Sequence, residues 1–145
     1  MTWTIRQATE EDLPAITELE HQIYTAEIPW SLEAYQEDFA QPERLYLVAV
    51  DGEKIVGYAA AGIIDERAEI LVFTVEPAYR RQGMASAFFD RLLAWTGNRE
   101  VVLQTRTDNQ EMSEFCNKYG FTVSQVLLDY YSPGVDAYEM QKVVA

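Results

Sequence analysis

The stretch Tyr79-Arg80-Arg81-Gln82-Gly83-Met84-Ala85-Ser86 is where residue types and spacing speak most directly of chemistry. It follows an apolar run, ILVFTV, and precedes a patterned one, AFFDRLLAW, so it lies where a strand hands over to a helix. A helix start leaves several main-chain N–H groups without partners at the positive end of the helix dipole, which suits phosphate oxygens. Gly83 lets the backbone come close to a ligand, and the guanidinium groups of Arg80 and Arg81 form paired hydrogen bonds to phosphate. In a chain of formal net charge −13, two adjacent arginines at that junction read as an anion cradle. On the local pattern alone the alternative is a plain helix start with solvated arginines. Neither G-x-x-x-x-G-K-[ST] nor G-x-G-x-x-G occurs in the sequence, so the familiar mononucleotide and dinucleotide loops lose support.

The elements that must position this stretch follow from periodicity. Residues 3–8 (WTIRQA) alternate like a first strand, and Thr9 to Asp12 supply helix-start residues ahead of Leu13, Ile16, Glu20 and Ile23. Pro29-Trp30-Ser31 interrupts, and Ser31 caps a second helix with Leu32, Tyr35 and Phe39 inward. Leu45 to Val50 and Lys54 to Ile64 form an antiparallel pair around Asp51-Gly52. Glu69 to Val75 is apolar on both faces, which predicts a central strand ending before Pro77. Ala85, Phe88, Phe89, Leu92 and Leu93 then fall at offsets 0, 3, 4, 7 and 8, a helix that Gly97 can close. Val101 to Thr105 is a short buried strand, and Asn109 caps a helix with Met112, Phe115, Cys116 and Tyr119 inward. Phe121 to Tyr131 and Ala137 to Val143 close the chain as a hairpin through Ser132-Pro133-Gly134. The predicted fold class is α/β in the order β-α-α-β-β-β-α-β-α-β-β, one mixed-sheet domain over residues 1–145.

Composition removes several functions. With 24 acidic against 11 basic residues, the surface field repels nucleic acid. No apolar stretch approaches the ~20 residues that span a bilayer, and the N-terminus lacks a basic-then-apolar signal, so a cytoplasmic protein without membrane attachment is expected. One cysteine, Cys116, and one histidine, His21, make neither a disulfide nor a zinc cluster, and no metal is expected.

Taken with the element order, Arg80-Arg81-Gln82-Gly83-Met84-Ala85 resembles the phosphate-binding pattern [Q/R]-x-x-G-x-[G/A] of the GNAT superfamily of N-acetyltransferases. The resemblance covers nearly the whole chain, including Asn109 at the next helix start and Lys118-Tyr119-Gly120-Phe121. Within the superfamily the chain is most similar to the RimI group, whose acceptor is the N-terminal amine of a ribosomal protein. Ile28-Pro29-Trp30-Ser31, Glu69-Ile70-Leu71, Asp129-Tyr130-Tyr131 and Asp136-Ala137-Tyr138-Glu139-Met140 carry that narrower match. The resemblance implies acetyl-CoA as donor. Its pyrophosphate would be held by the N–H groups of Arg81, Gln82, Gly83, Met84, Ala85 and Ser86 with Arg80 beside them. Its pantetheine would lie along Phe73, Thr74 and Val75, and Asn109 would add a side-chain hydrogen bond. Ala85 stands where the second glycine is more common, a replacement the pattern permits.

The catalytic pattern departs from the family. RimI-like enzymes place a glutamate base and a tyrosine acid where this chain has Gln104 and Cys116. An amide takes up no proton, so Gln104 can orient a water or an amine but cannot be the base. Cys116 is either a small core hydrophobe on an apolar helix face or, its ordinary pKa being near that of a thiol leaving group, a proton donor. Glu69 at the start of the central strand is the candidate base, with Asp65 or Glu66 as substitutes. Tyr131, with Tyr130, is a candidate acid or substrate contact. The resemblance places the Val75 N–H near the thioester carbonyl, where it would stabilise the oxyanion. The expected function is transfer of an acetyl group to a primary amine of a peptide or protein N-terminus, a ribosomal protein among the candidates. A small-molecule amine, a lysine side chain, a non-catalytic acyl-CoA-binding module and a purely structural subunit are the alternatives. The oligomeric state is not legible.

Overall fold

Val72 to Val75 and their neighbours are apolar on both faces because both faces are covered. In the computed structural model, which describes residues 2–23 and 30–142, they belong to the middle strand of a seven-stranded sheet. The strands are β1 (Trp3–Gln7), β2 (Arg44–Asp51), β3 (Lys54–Ile64), β4 (Arg67–Val75), β5 (Val101–Arg106), β6 (Thr122–Ser132) and β7 (Val135–Lys142). Their order across the sheet is β1-β2-β3-β4-β5-β7-β6, antiparallel except for the β4–β5 pair.

Helices α1 (Leu13–Ile23) and α2 (Leu32–Phe39) cover one face, burying Leu13, Ile16, Leu19 and Tyr35 against Tyr46, Val48, Tyr58 and Ala60. Helices α3 (Met84–Thr96) and α4 (Gln110–Lys118) cover the other, where Phe88, Phe89, Leu92 and Cys116 pack against Leu47, Ala59, Ile70 and Leu103. Ser31 caps α2 by accepting from the Ala34 N–H at 3.1 Å, and Asn109 caps α4 by accepting from the Met112 N–H at 3.2 Å. Ahead of α1, Thr9 and Asp12 form a reciprocal capping box around a 3-10 turn, Glu10–Asp12. Among the described residues no helix is long and apolar enough to cross a membrane.

The predicted element order is the observed one, with small displacements. The turn between β2 and β3 is Gly52-Glu53, not Asp51-Gly52, because Asp51 is drawn into the ladder opposite Lys54 and Gly52 takes the left-handed position at φ 63°. The central strand starts at Arg67, two residues before Glu69. Asp65 (φ 52°) and Glu66 (φ 68°) make a two-residue hairpin turn that pairs Ile64 with Arg67. β7 likewise begins at Val135, while the expected end of the last strand, Val143, lies outside the described residues.

Candidate active site

β4 and β5 run together for two pairs only, Ala68 with Val101 and Glu69 with Val102, and then part. The cause lies on the other side of β4. Opposite β3 the register slips between Ala60, which faces Val72, and Ala61, which faces Ile70, so Leu71 is an extra residue that bends the strand. Beyond the bend, the main-chain groups on that edge of β4 face a gap, and the gap is a cleft of about 1210 Å³. Its floor is Ile70 to Val75, one wall is Leu103 to Arg106, and Asn109, Met112 and Phe115 border it from α4.

At one end the cleft meets the start of α3. A 3-10 turn, Pro77–Tyr79, carries the chain off β4, and Arg81 (φ 62°) and Gly83 (φ 82°) are both left-handed. Among the described residues, none of the N–H groups of 81–86 donates a hydrogen bond of ordinary geometry to the protein; the first helical donor is Ala87, to Gly83 O at 3.0 Å. A Cβ added to Gly83 would meet nothing within 4 Å, so the space before these amides is open. Gly57 on β3 lets the helix start sit this close to the sheet: a Cβ there would lie 2.7 Å from Met84 Sδ.

The neighbouring side chains divide the work. Arg80 Nε donates to Val75 O at 3.1 Å, locking the turn to the strand end, whereas Arg81 stays exposed at the cleft margin. Gln82 accepts from Trp3 Nε1 at 3.1 Å and turns away from the cleft, so its side chain anchors the loop to β1. Met84 is buried, while Ala85 and Ser86 line the cleft. Phe73 packs edge-on against Phe89 at 5.1 Å between ring centres, and Thr74 is buried; both border the cleft. Glu76 N–H donates to Val56 O on β3, so by strand alternation Val75 N–H points the opposite way, into the cleft. Asn109 spends its side-chain oxygen on the cap, which leaves its NH2 as a donor at the cleft rim.

At the other end, side chains from several elements converge. Glu69, half-buried at the crotch where the strands part, shares the lining with Gln104, Tyr130 and Tyr131. The two tyrosine rings stack edge to face at 5.0 Å. Burial first, then the carboxylates of Glu69 and Glu139, push the Tyr130 phenol above its ordinary value. Asp65 and Glu66 sit in the hairpin turn and do not border the cleft. Cys116 does not border it either: it is fully buried in the α3–α4 core, and desolvation pushes its thiol up to about 12. A thiol so placed is a small core hydrophobe with no path for its proton into the cleft.

One residue without an expected role belongs to this end. Glu20, on the buried side of α1, also lines the cleft, 7% exposed. Its carboxylate accepts from the Trp30 N–H at 3.2 Å and contacts Tyr35 and Tyr58, whose hydroxyls are 3.1 Å apart. Burial raises its pKa, and the hydrogen bonds from Tyr35, Tyr58 and Trp30 offset part of the rise. A carboxylate at an inward helix position among Leu13, Ile16 and Ile23 was the available sequence signal. Ile28-Pro29 of the RimI-like stretch lies outside the described residues. No group of His, Cys, Asp and Glu able to hold a metal ion occurs among the described residues.

Residues 13–121 match the model of the acetyltransferase (GNAT) family. The N-alpha-acetyltransferase RimI of Mycobacterium tuberculosis is 30% identical over 96% of this chain and 91% of its own length. The [ribosomal protein bS18]-alanine N-acetyltransferase of Escherichia coli is 24% identical over 98% of this chain and 95% of its own. Among solved structures, Ard1 from Thermoplasma volcanium superposes with a TM-score of 0.88 at 29% identity, covering 100% of this chain and 99% of that one.

Proposed function

The chain belongs to the acetyltransferase (GNAT) family and is an acyltransferase that moves an acetyl group to an amine, and from that premise we propose that its donor is acetyl-CoA and its acceptor the α-amine of a peptide or protein N-terminus. One observation supports this reading above the rest: β4 leaves β5 after two pairs, and the opened edge runs straight into six unpaired amides at a helix start. An extended amide-bearing chain ending in a diphosphate fits that sequence of groups. The donor supplies an activated acyl thioester.

In this reading the N–H groups of 81–86 hold the diphosphate with Arg81 adding charge, and Asn109 donates from its NH2. The Val75 N–H stabilises negative charge on an acyl oxygen. Glu69, directly or through water, takes the proton that the amine must shed, a contribution of about two to four orders of magnitude. Tyr131 holds, at its hydroxyl, the proton for the departing sulfur. The acceptor of the Escherichia coli relative makes ribosomal-protein N-termini the first candidates.

The test is incubation with acetyl-CoA and peptides carrying a free N-terminus, a blocked N-terminus with free lysines, or neither, read by mass spectrometry. One acetyl group on free N-termini alone is expected. Acetylation confined to lysines or small amines would replace the acceptor. Tight CoA binding without turnover on any amine would return the protein to a binding module.

A further inference from the structure

Gln104 occupies the position at which the resemblance expects a base, and its surroundings show what the amide does there instead. It is paired directly across the β5–β7 ladder with Glu139. Gln104 Nε2 donates to Glu139 Oε1 at 3.4 Å, and Gln125 Nε2 on β6 donates to Glu139 Oε2 at 2.6 Å. Arg67, from the start of β4, reaches within 4.0 Å of the same carboxylate, whose side chain is 17% exposed. An ionised carboxylate only accepts, so the Gln104 amide has one orientation: NH2 toward Glu139, carbonyl oxygen away from it. Gln104 borders the cleft and Glu139 does not. The carbonyl oxygen has no partner among the described residues.

We propose that Glu139 is a positioning residue that fixes the Gln104 amide so that its carbonyl oxygen accepts an N–H of the incoming amine. Three side chains hold the carboxylate, Gln104 from β5, Gln125 from β6 and Arg67 from β4, while Tyr130 of β6 feels its charge and Glu69 of β4 is a second negative charge acting on the same phenol. An amine presented to that oxygen keeps its lone pair for the acyl carbon, while Glu69 remains the proton acceptor. The proposal rests on the amine-acceptor reading above and assigns the substrate-orienting role that the missing family glutamate leaves open.

Glu139→Gln tests it, because the new amide both donates and accepts and no longer dictates which way Gln104 faces. The expected result is an acceptor KM raised about tenfold, with CoA affinity by calorimetry unchanged and the pH profile of kcat unmoved, since the base is untouched. The exchange of the pair, Gln104→Glu with Glu139→Gln, returns an oxygen to the cleft and should recover most of the loss. A purely structural role would lower thermal stability and leave the acceptor KM alone. Should Glu139→Gln fail to fold, Gln104→Met reads the same contact from the other side, with the same rise in acceptor KM. Acceptor KM within about twofold of the parent, or CoA affinity falling in parallel, overturns the proposal. Wild-type protein that acetylates no amine overturns the functional reading itself, a result distinguishable because it precedes any variant.

Discussion

At the α3 end of the cleft the unpaired groups are main-chain amides of six consecutive residues, whereas at the β5–β7 end the lining groups are side chains from α1, β4, β5 and β6. The first kind of site needs only a sharp turn, a glycine and a helix start. It is local in sequence, and its electrostatics come from the backbone. The second kind needs several elements to arrive in register, and its electrostatics come from carboxylates that the fold must partly bury. Glu20 and Glu69 border that end, with Glu139 behind it. A chemistry shared by many acetyltransferases fits the first kind, and a choice of acceptor fits the second.

Gly83→Glu should break the comparison most severely, on the donor side. At φ 82° any side chain adds backbone strain of about 1–3 kcal/mol, and here it also brings a negative charge into the open space before the amides. CoA affinity by calorimetry should fall about 1,000-fold, three decades being ~4 kcal/mol, while far-UV circular dichroism keeps its shape. Affinity within about threefold of the parent would show that the diphosphate is held elsewhere.

The contrast between the two ends also explains what could be read from the sequence. Arg80 to Ser86 were legible because turn, glycine and helix start are contiguous, and the strand before them was legible because burial on both faces leaves an unbroken apolar run. The tightness of the Asp65-Glu66 turn was not, since Asp tolerates the left-handed region but Glu does not, and the hairpin imposes it on both. The bulge at Leu71, which opens the cleft, leaves no mark on composition. Gln104 could be located through the family resemblance, but its partner Glu139 lies 35 residues away and meets it only through strand pairing. Cys116 shows how an apolar helix face decides between two readings once burial is seen: the thiol sits at 0% exposure in the core.

Glu69→Gln sharpens the comparison at the acceptor end. It keeps the size and removes the ability to hold a proton, so kcat at saturating substrates should fall about 100-fold between pH 6 and 9. CoA affinity should not change, because Glu69 lies at the crotch of the strands and the unpaired amides of residues 81–86 at their far end. A rate within about twofold of the parent would transfer the base role to another group.

The smallest effect separates carboxylates that serve the fold from those that serve the cleft, and two of them stand at the two ends of α1. Asp12 accepts from Arg6 at 2.7 and 2.9 Å and from the Thr9 N–H at 2.7 Å, and the Arg6 guanidinium is the first cause holding its pKa down to about 2. Glu20 is displaced upward by burial. Their contributions to stability therefore run oppositely with pH. For Asp12 the folded value lies below the unfolded one, so its contribution is complete above about pH 5 and is lost as pH falls through about 2. For Glu20 the folded state binds the proton more tightly, so stability declines as pH rises from the unfolded value through the raised folded one. In urea titrations at pH 7, Asp12→Asn should lose about 1 kcal/mol, a modest figure because solvent screens the half-exposed guanidinium. That deficit should shrink toward pH 2. Glu20→Gln should show the reverse, its stability relative to the parent improving as pH rises, since the amide carries no charge to desolvate. Parallel pH trends in the two variants would mean that the cleft wall at Glu20 holds its charge without penalty, and the distinction between the two ends of the cleft would then lose its electrostatic half.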